Sequence, residues 1–179
     1  QFIRLSNSFN IEKKPQLFFV NFKTSGTLFF NKNEFEKALL NFNKALNFGL
    51  DAFGKNNREI AKLYNSIAKC YVELQRLETA ENFYKTALET IIPLNKNIAS
   101  SIYAENTLKE SFDGLAELYV KQNELEKALE NYEYSFMVEK AIQHSITSQQ
   151  SKILQRQEVK KRSEVCIDIC YNLFQNSAK

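Results

Sequence analysis

Residues 33–46 read NEFEKALLNFNKAL, residues 76–88 read RLETAENFYKTAL and residues 123–136 read NELEKALENYEYSF. Aligned on Ala38, Ala80 and Ala128, the three stretches keep one pattern. An aromatic follows four positions later, at Phe42, Tyr84 and Tyr132. Three further on comes a small residue, Ala45, Ala87 or Ser135, and then Leu46, Leu88 or Phe136. Steps of three and four are the neighbour distances on one face of an α-helix, so each stretch predicts one amphipathic helix. The small residue admits a close partner helix and the aromatic fills the space beside it.

A second helix is predicted ahead of each stretch. FKTSGTLFF (22–30), YNSIAKCYV (64–72) and FDGLAELYV (112–120) each place a small residue four after an aromatic, at Gly26, Ala68 and Ala116, with Phe29, Tyr71 and Tyr119 three beyond. The connections NKNE (31–34), LQRL (74–77) and KQNE (121–124) are short and polar, which forces each pair into an antiparallel hairpin.

The composition agrees. Of 179 residues, 4 are Gly and 2 are Pro, too few for a fold of many tight turns. Hydrophobic residues at 44% suffice for a core, and the net charge of +3 is far from that of a dedicated nucleic-acid binder. Helices are predicted at about 15–31, 34–52, 58–74, 77–92, 98–122, 125–148 and 150–175. Pro15 suits a first helical turn, while Gly54 and Pro93 mark stops. Residues 1–14 include QFIRLSNSF, which lacks the apolar core of a secretory signal, and are expected to form an arm or a frayed segment. In the last stretch Val159, Cys166, Ile169, Cys170 and Leu173 form a loose stripe, expected to cover the final hairpin with both cysteines buried.

The paired helices resemble the tetratricopeptide repeat, W-x2-L-G-x2-Y followed by A-x3-F, with Phe or Tyr in place of the Trp. The segment ALNFGLDAFGKNNREIAKLYNSIAKCYVELQRLETAENFYKTAL (45–88) is similar to the longer variety found in kinesin light chains. The resemblance covers about residues 15–140. It implies an all-α, right-handed superhelical solenoid of three antiparallel helix pairs (about 15–52, 58–92 and 98–148), closed by a C-terminal capping helix and tail at 149–179.

No chemistry accompanies the pattern. The one histidine, His144, adjoins Ser145, and adjacent helical residues point apart, so they are no nucleophile–base pair. Cys166 and Cys170 are two possible ligands where a structural zinc site takes four. The four glycines are too scattered for a phosphate loop. We expect no enzyme, no cofactor, no metal, no small-molecule substrate and no transmembrane segment, the last because no apolar run is long enough. The basic run QRQEVKKRSE carries Arg156, Lys160, Lys161 and Arg162 on a solvated face, available for a secondary contact with a partner. Its interrupting glutamates argue against nucleic acid. Three cysteines, an odd and low count, suggest a reducing compartment inside the cell, cytoplasm or mitochondrial matrix.

The resemblance implies a protein or peptide partner, held on the concave side that first helices line. The expected groove residues are Lys23 and Thr27, Asn65 and Lys69, and Asp113 and Glu117, running from basic to acidic. Chaperone adaptors of this family clamp a C-terminal carboxylate, but Ser66, Glu110 and Gly114 stand where that clamp needs amide or basic side chains. An adaptor or scaffold is therefore expected. The alternative is a permanent structural subunit of a large assembly, such as a mitochondrial one.

Overall fold

The computed structural model describes residues 14–92, 98–145 and 149–177, with side chains at 145, 149–156 and 176–177 left aside. The expected arm at 1–14 lies almost wholly outside the described residues, as do the stop at Pro93 and residues 146–148. Among the described residues the order is α1 (Pro15–Asn31), α2 (Phe35–Phe53), α3 (Arg58–Glu73), α4 (Leu77–Ile91), α5 (Ile98–Ser101), α6 (Asn106–Lys121), α7 (Leu125–Ser145) and α8 (Gln149–Ser177), with no strand. The fold is an all-α solenoid. Helices α1 and α2, α3 and α4, and α6 and α7 pack as hairpins, α2 leads onto α3, α4 onto α6, and α7 carries α8.

The repeated small and aromatic residues make the core. Ala38, Ala80, Ala128, Ala45, Ala87 and Ser135 are all fully buried, and Phe42, Tyr84 and Tyr132 nearly so. Gly26 lets α1 approach so closely that a Cβ there would lie 2.5 Å from the Phe42 ring. Three apolar clusters result. One joins α1 and α2 to α3 around Phe19, Phe42 and Ile67. The second joins both later hairpins and α8 around Tyr84, Leu115, Tyr132 and Ile169. The third, around Leu108, Phe112 and Val138, fills the far end of the last hairpin.

Each hairpin turns the same way. Asn33, Gln75 and Asn123 adopt left-handed backbone with φ of 60°, 59° and 61°. The next residue's N–H returns to a carbonyl five residues back, Glu34 to Phe29, Arg76 to Tyr71 and Glu124 to Tyr119, at 2.8–2.9 Å. This is the Schellman closure that satisfies a helix's last carbonyls. Gly54, at φ 75°, ends α2 with its N–H on the Leu50 carbonyl.

The predicted single helix at 98–122 is instead α5, an irregular stretch and α6. Glu105 is extended and its carboxylate accepts hydrogen bonds from the Thr107 N–H and hydroxyl, 3.1 and 2.9 Å away. An N-cap therefore starts a new helix. Glu is an uncommon cap, so the residue type did not announce it. Cys170 is a second correction. It is exposed and Cys166 only half-buried, while Cys70 is the deeply buried thiol, pushed up to about 12 by burial.

Candidate functional site

On α6 the residues Phe112, Leu115, Ala116 and Tyr119 face the core. The opposite positions, Glu110, Asp113, Glu117 and Lys121, follow at three- and four-residue steps and open onto a concave cavity of about 480 Å³. Lys69 and Glu73 of α3 form its second wall, and Glu158, Lys161 and Val165 of α8 its third. Tyr84 rises beneath. A Cβ at Gly114 would lie 2.4 Å from the Tyr84 ring, so the glycine is what lets α6 lie this close. A smaller hollow of about 230 Å³ continues toward α1, lined by Thr27, Phe30, Ser66 and Lys69.

The six residues predicted for the groove divide by position. Thr27, Lys69 and Glu117 are exposed and open onto these hollows. Lys23, Asn65 and Asp113 instead join each first helix to the next one. The Lys23 Nζ donates to Glu59 Oε2 of α3 at 2.7 Å. Asn65 is 1% exposed, a correction to its expected place in the groove. Its amide donates to the Thr107 carbonyl at 3.2 Å, and its oxygen accepts from the Ser111 hydroxyl at 2.8 Å, both on α6. Asp113 accepts from Arg162 Nη1 of α8 at 2.9 and 3.2 Å. A polar seam thus runs from α1 through α3 and α6 to α8.

The basic run of α8 divides too. Lys160 and Lys161 are exposed, and Lys161 faces the cavity. The side chain of Arg156 lies outside the described residues. Arg162 is no surface contact: it is buried, paired with Asp113 and with the buried Glu139 of α7, and laid over the Phe136 ring. A charged group taken out of water needs such partners. Lys109 adds a second tie, to Asp113 at 3.2 Å and Glu158 at 3.0 Å.

The cavity's remaining charges are uncommitted. Lys69, Glu73, Glu110, Glu117, Lys121 and Lys161 line it, and among the described residues none of them makes a hydrogen bond or ion pair. Glu117 shows the consequence. Though its side chain reaches solvent, the surrounding cavity walls strip water from its carboxylate and push its pKa up, Asp113 adds to the rise, and Lys161, Lys69 and Lys121 oppose it only in part. The charges interleave rather than running from basic to acidic. Sequence reasoning missed Glu73, Glu110 and Lys121. The three- and four-residue steps from Lys69 and Glu117 would have found them.

Two comparisons bear on this geometry. Residues 61–90, within the second hairpin, match the family model of the tetratricopeptide repeat. Among solved structures, the crystal structure of BtubC (BKLC) from P. vanneervenii is similar, with a TM-score of 0.64 at 17% identity over 96% of this chain and 68% of that one. That likeness is one of fold. No curated protein matches the chain. The match identifies residues 61–90 as a tetratricopeptide repeat, set in an all-α solenoid fold. Repeats of this kind generally mediate protein–protein contacts and are generally not enzymes. No described helix is long and apolar enough to cross a membrane.

Proposed function

We propose that this chain is a non-enzymatic adaptor that holds a segment of a partner protein in the concave cavity between α3, α6 and α8. The observation that carries the reading is the set of six uncommitted charges around one cavity of about 480 Å³. Nearby Asp113, Lys109 and Arg162 are all consumed by ion pairs, so the six are not charges left over from holding the fold. Concave solenoid surfaces are the extended binding faces of such proteins. Interleaved Lys and Glu suit a segment of mixed charge, and each like-charge mismatch would discriminate against other partners. Three free thiols fit a reducing compartment.

The test is capture of partners from the source by the wild-type chain and by Lys69→Glu with Lys161→Glu, identified by mass spectrometry. The variant should lose the partner while melting as the wild type does, because both side chains are exposed. Salt at about 1 M, where screening acts within ~3 Å, should release it. Equal capture by the variant, or retention at that salt, would overturn the groove and favour a permanent structural subunit.

A further inference from the structure

The second helix of each hairpin carries an aromatic at one position, Phe42, Tyr84 or Tyr132. Phe42 shows that packing there needs a ring and no hydroxyl, since it is 2% exposed and fills its place in the first cluster. Tyr84 and Tyr132 are each 3% exposed, and both line the concave cavity. Among the described residues neither hydroxyl makes a hydrogen bond. A buried hydroxyl without a partner is destabilising, so these two oxygens mark a place where something from outside the chain can be met. Gly114 opens the way to one of them. A Cβ there would lie 2.7 Å from the Tyr84 hydroxyl, and the matching position of α3 is Ser66.

The field at these oxygens is negative. Burial first, and among the cavity's charges Glu117, Glu110 and then Glu73, push the Tyr84 phenol above its ordinary range. Burial and then Glu117 act the same way on Tyr132. Lys69, Lys121 and Lys161 line the same cavity, yet they do not hold Glu117 at its ordinary value. The cavity floor therefore lacks a cation.

We infer that the partner segment proposed above anchors in this cavity through an arginine, whose guanidinium meets the Glu117 carboxylate and the Tyr84 and Tyr132 hydroxyl oxygens. A guanidinium offers five N–H donors in one plane, and the carboxylate and both phenol oxygens can accept. The inference rests on the concave reading and adds the residue the partner must carry. The cavity is walled by α3, α6 and α8, so further solenoid units would stack on the ends and leave it open. Two of the chain's own arginines are already engaged, Arg162 with Asp113 and Glu139 and Arg58 with Glu105.

N-acetyl-arginine methylamide, titrated to about 50 mM at constant ionic strength against the whole chain, tests this by nuclear magnetic resonance. It should move the Gly114 and Glu117 amide signals saturably, and the uncharged citrulline analogue should not. Glu117→Gln should weaken the arginine probe by at least about tenfold and Tyr84→Phe by about threefold. Tyr84→Phe should keep the wild-type Tm, because its hydroxyl has no partner to lose. No response, an equal response to citrulline, or unchanged binding by either variant overturns the inference. So does saturable binding of N-acetyl-glutamate methylamide in its place, which would give the floor to the lysines. Each of these results is compatible with loss of the captured partner by Lys69→Glu with Lys161→Glu, so failure of the arginine and failure of the groove are read separately. A dimer in sedimentation that becomes monomeric on Arg76→Gln would assign the place to a second copy. Probe binding that tightens on Arg4→Gln would assign it to the chain's own leading segment, and either result also overturns the inference.

Discussion

Gly114 is defined by what lies against it. A methyl group there would meet the Tyr84 ring at 2.4 Å, and Tyr84 is itself buried, so its ring would have to leave its packed position. Alanine would gain about 1 kcal/mol in helix propensity but would overpack the α4–α6 contact at a cost of about 1–3 kcal/mol. The balance falls on the side of the clash. Gly114→Ala should lower the urea midpoint by an amount worth about 1 kcal/mol, with an unchanged denaturant slope. An unchanged midpoint would mean that Tyr84 rotates freely and that the close contact does not constrain α6. The same residue-scale logic explains why Asn65 misled. It neighbours Tyr64 on the helix and was expected to point into the groove. Its direction is set by the adjacent helix α6, whose Thr107 carbonyl and Ser111 hydroxyl a single sequence does not bring into view.

At the scale of elements, the turns and the last helix each carry a testable consequence. Gln75 holds left-handed backbone that costs a non-glycine residue about 1–2 kcal/mol. Its side chain is exposed, so Gln75→Gly loses no packing. Glycine's freedom in the unfolded chain takes back part of the gain. The net should be a stabilisation of about 0.5–1 kcal/mol, seen as a higher urea midpoint; a lower one would mean the Gln75 side chain contributes unseen. Helix α8 is held differently, by buried charge. Arg162→Ala would leave Glu139 buried without its cation, at about 3–5 kcal/mol, whereas replacing both members by apolar residues is often neutral. Arg162→Met alone should therefore speed amide exchange along α8, and Arg162→Met with Glu139→Leu should restore protection. If the double variant exchanges as fast as the single one, the pair is doing more than satisfying itself. The hairpins were legible in the sequence because packing repeats residue by residue, at Ala38, Ala80 and Ala128. The role of Arg162 was not, because its two carboxylates sit on α6 and α7, 49 and 23 positions away. A basic run and a buried ion pair look alike until the helices are placed.

For the molecule as a whole, pH reports how its charges are shared between fold and cavity. Glu59 is drawn down by its hydrogen bond from Lys23, against burial, with Lys62 helping. Burial raises Glu81 and Glu105, but hydrogen bonds outweigh it, from Lys85 and Tyr119 to Glu81 and from Thr107 and Arg58 to Glu105. All three therefore titrate below 4.5 in the folded chain. The unfolded state binds more protons in that range, so their stabilisation is present above 4.5 and is lost as pH falls through the folded values. Glu117 has the opposite sign. Its folded value lies above 4.5, chiefly through burial, so the folded chain binds the extra proton and stability falls as pH rises from 4.5 through that value. Melting temperature should climb steeply from about pH 3 to the ordinary carboxylate range and then dip slightly before levelling toward neutrality. Glu117→Gln should abolish the dip and leave the acid limb in place, while Glu59→Gln should soften the acid limb and leave the dip. A dip that survives Glu117→Gln would show that a carboxylate other than Glu117 carries the raised value.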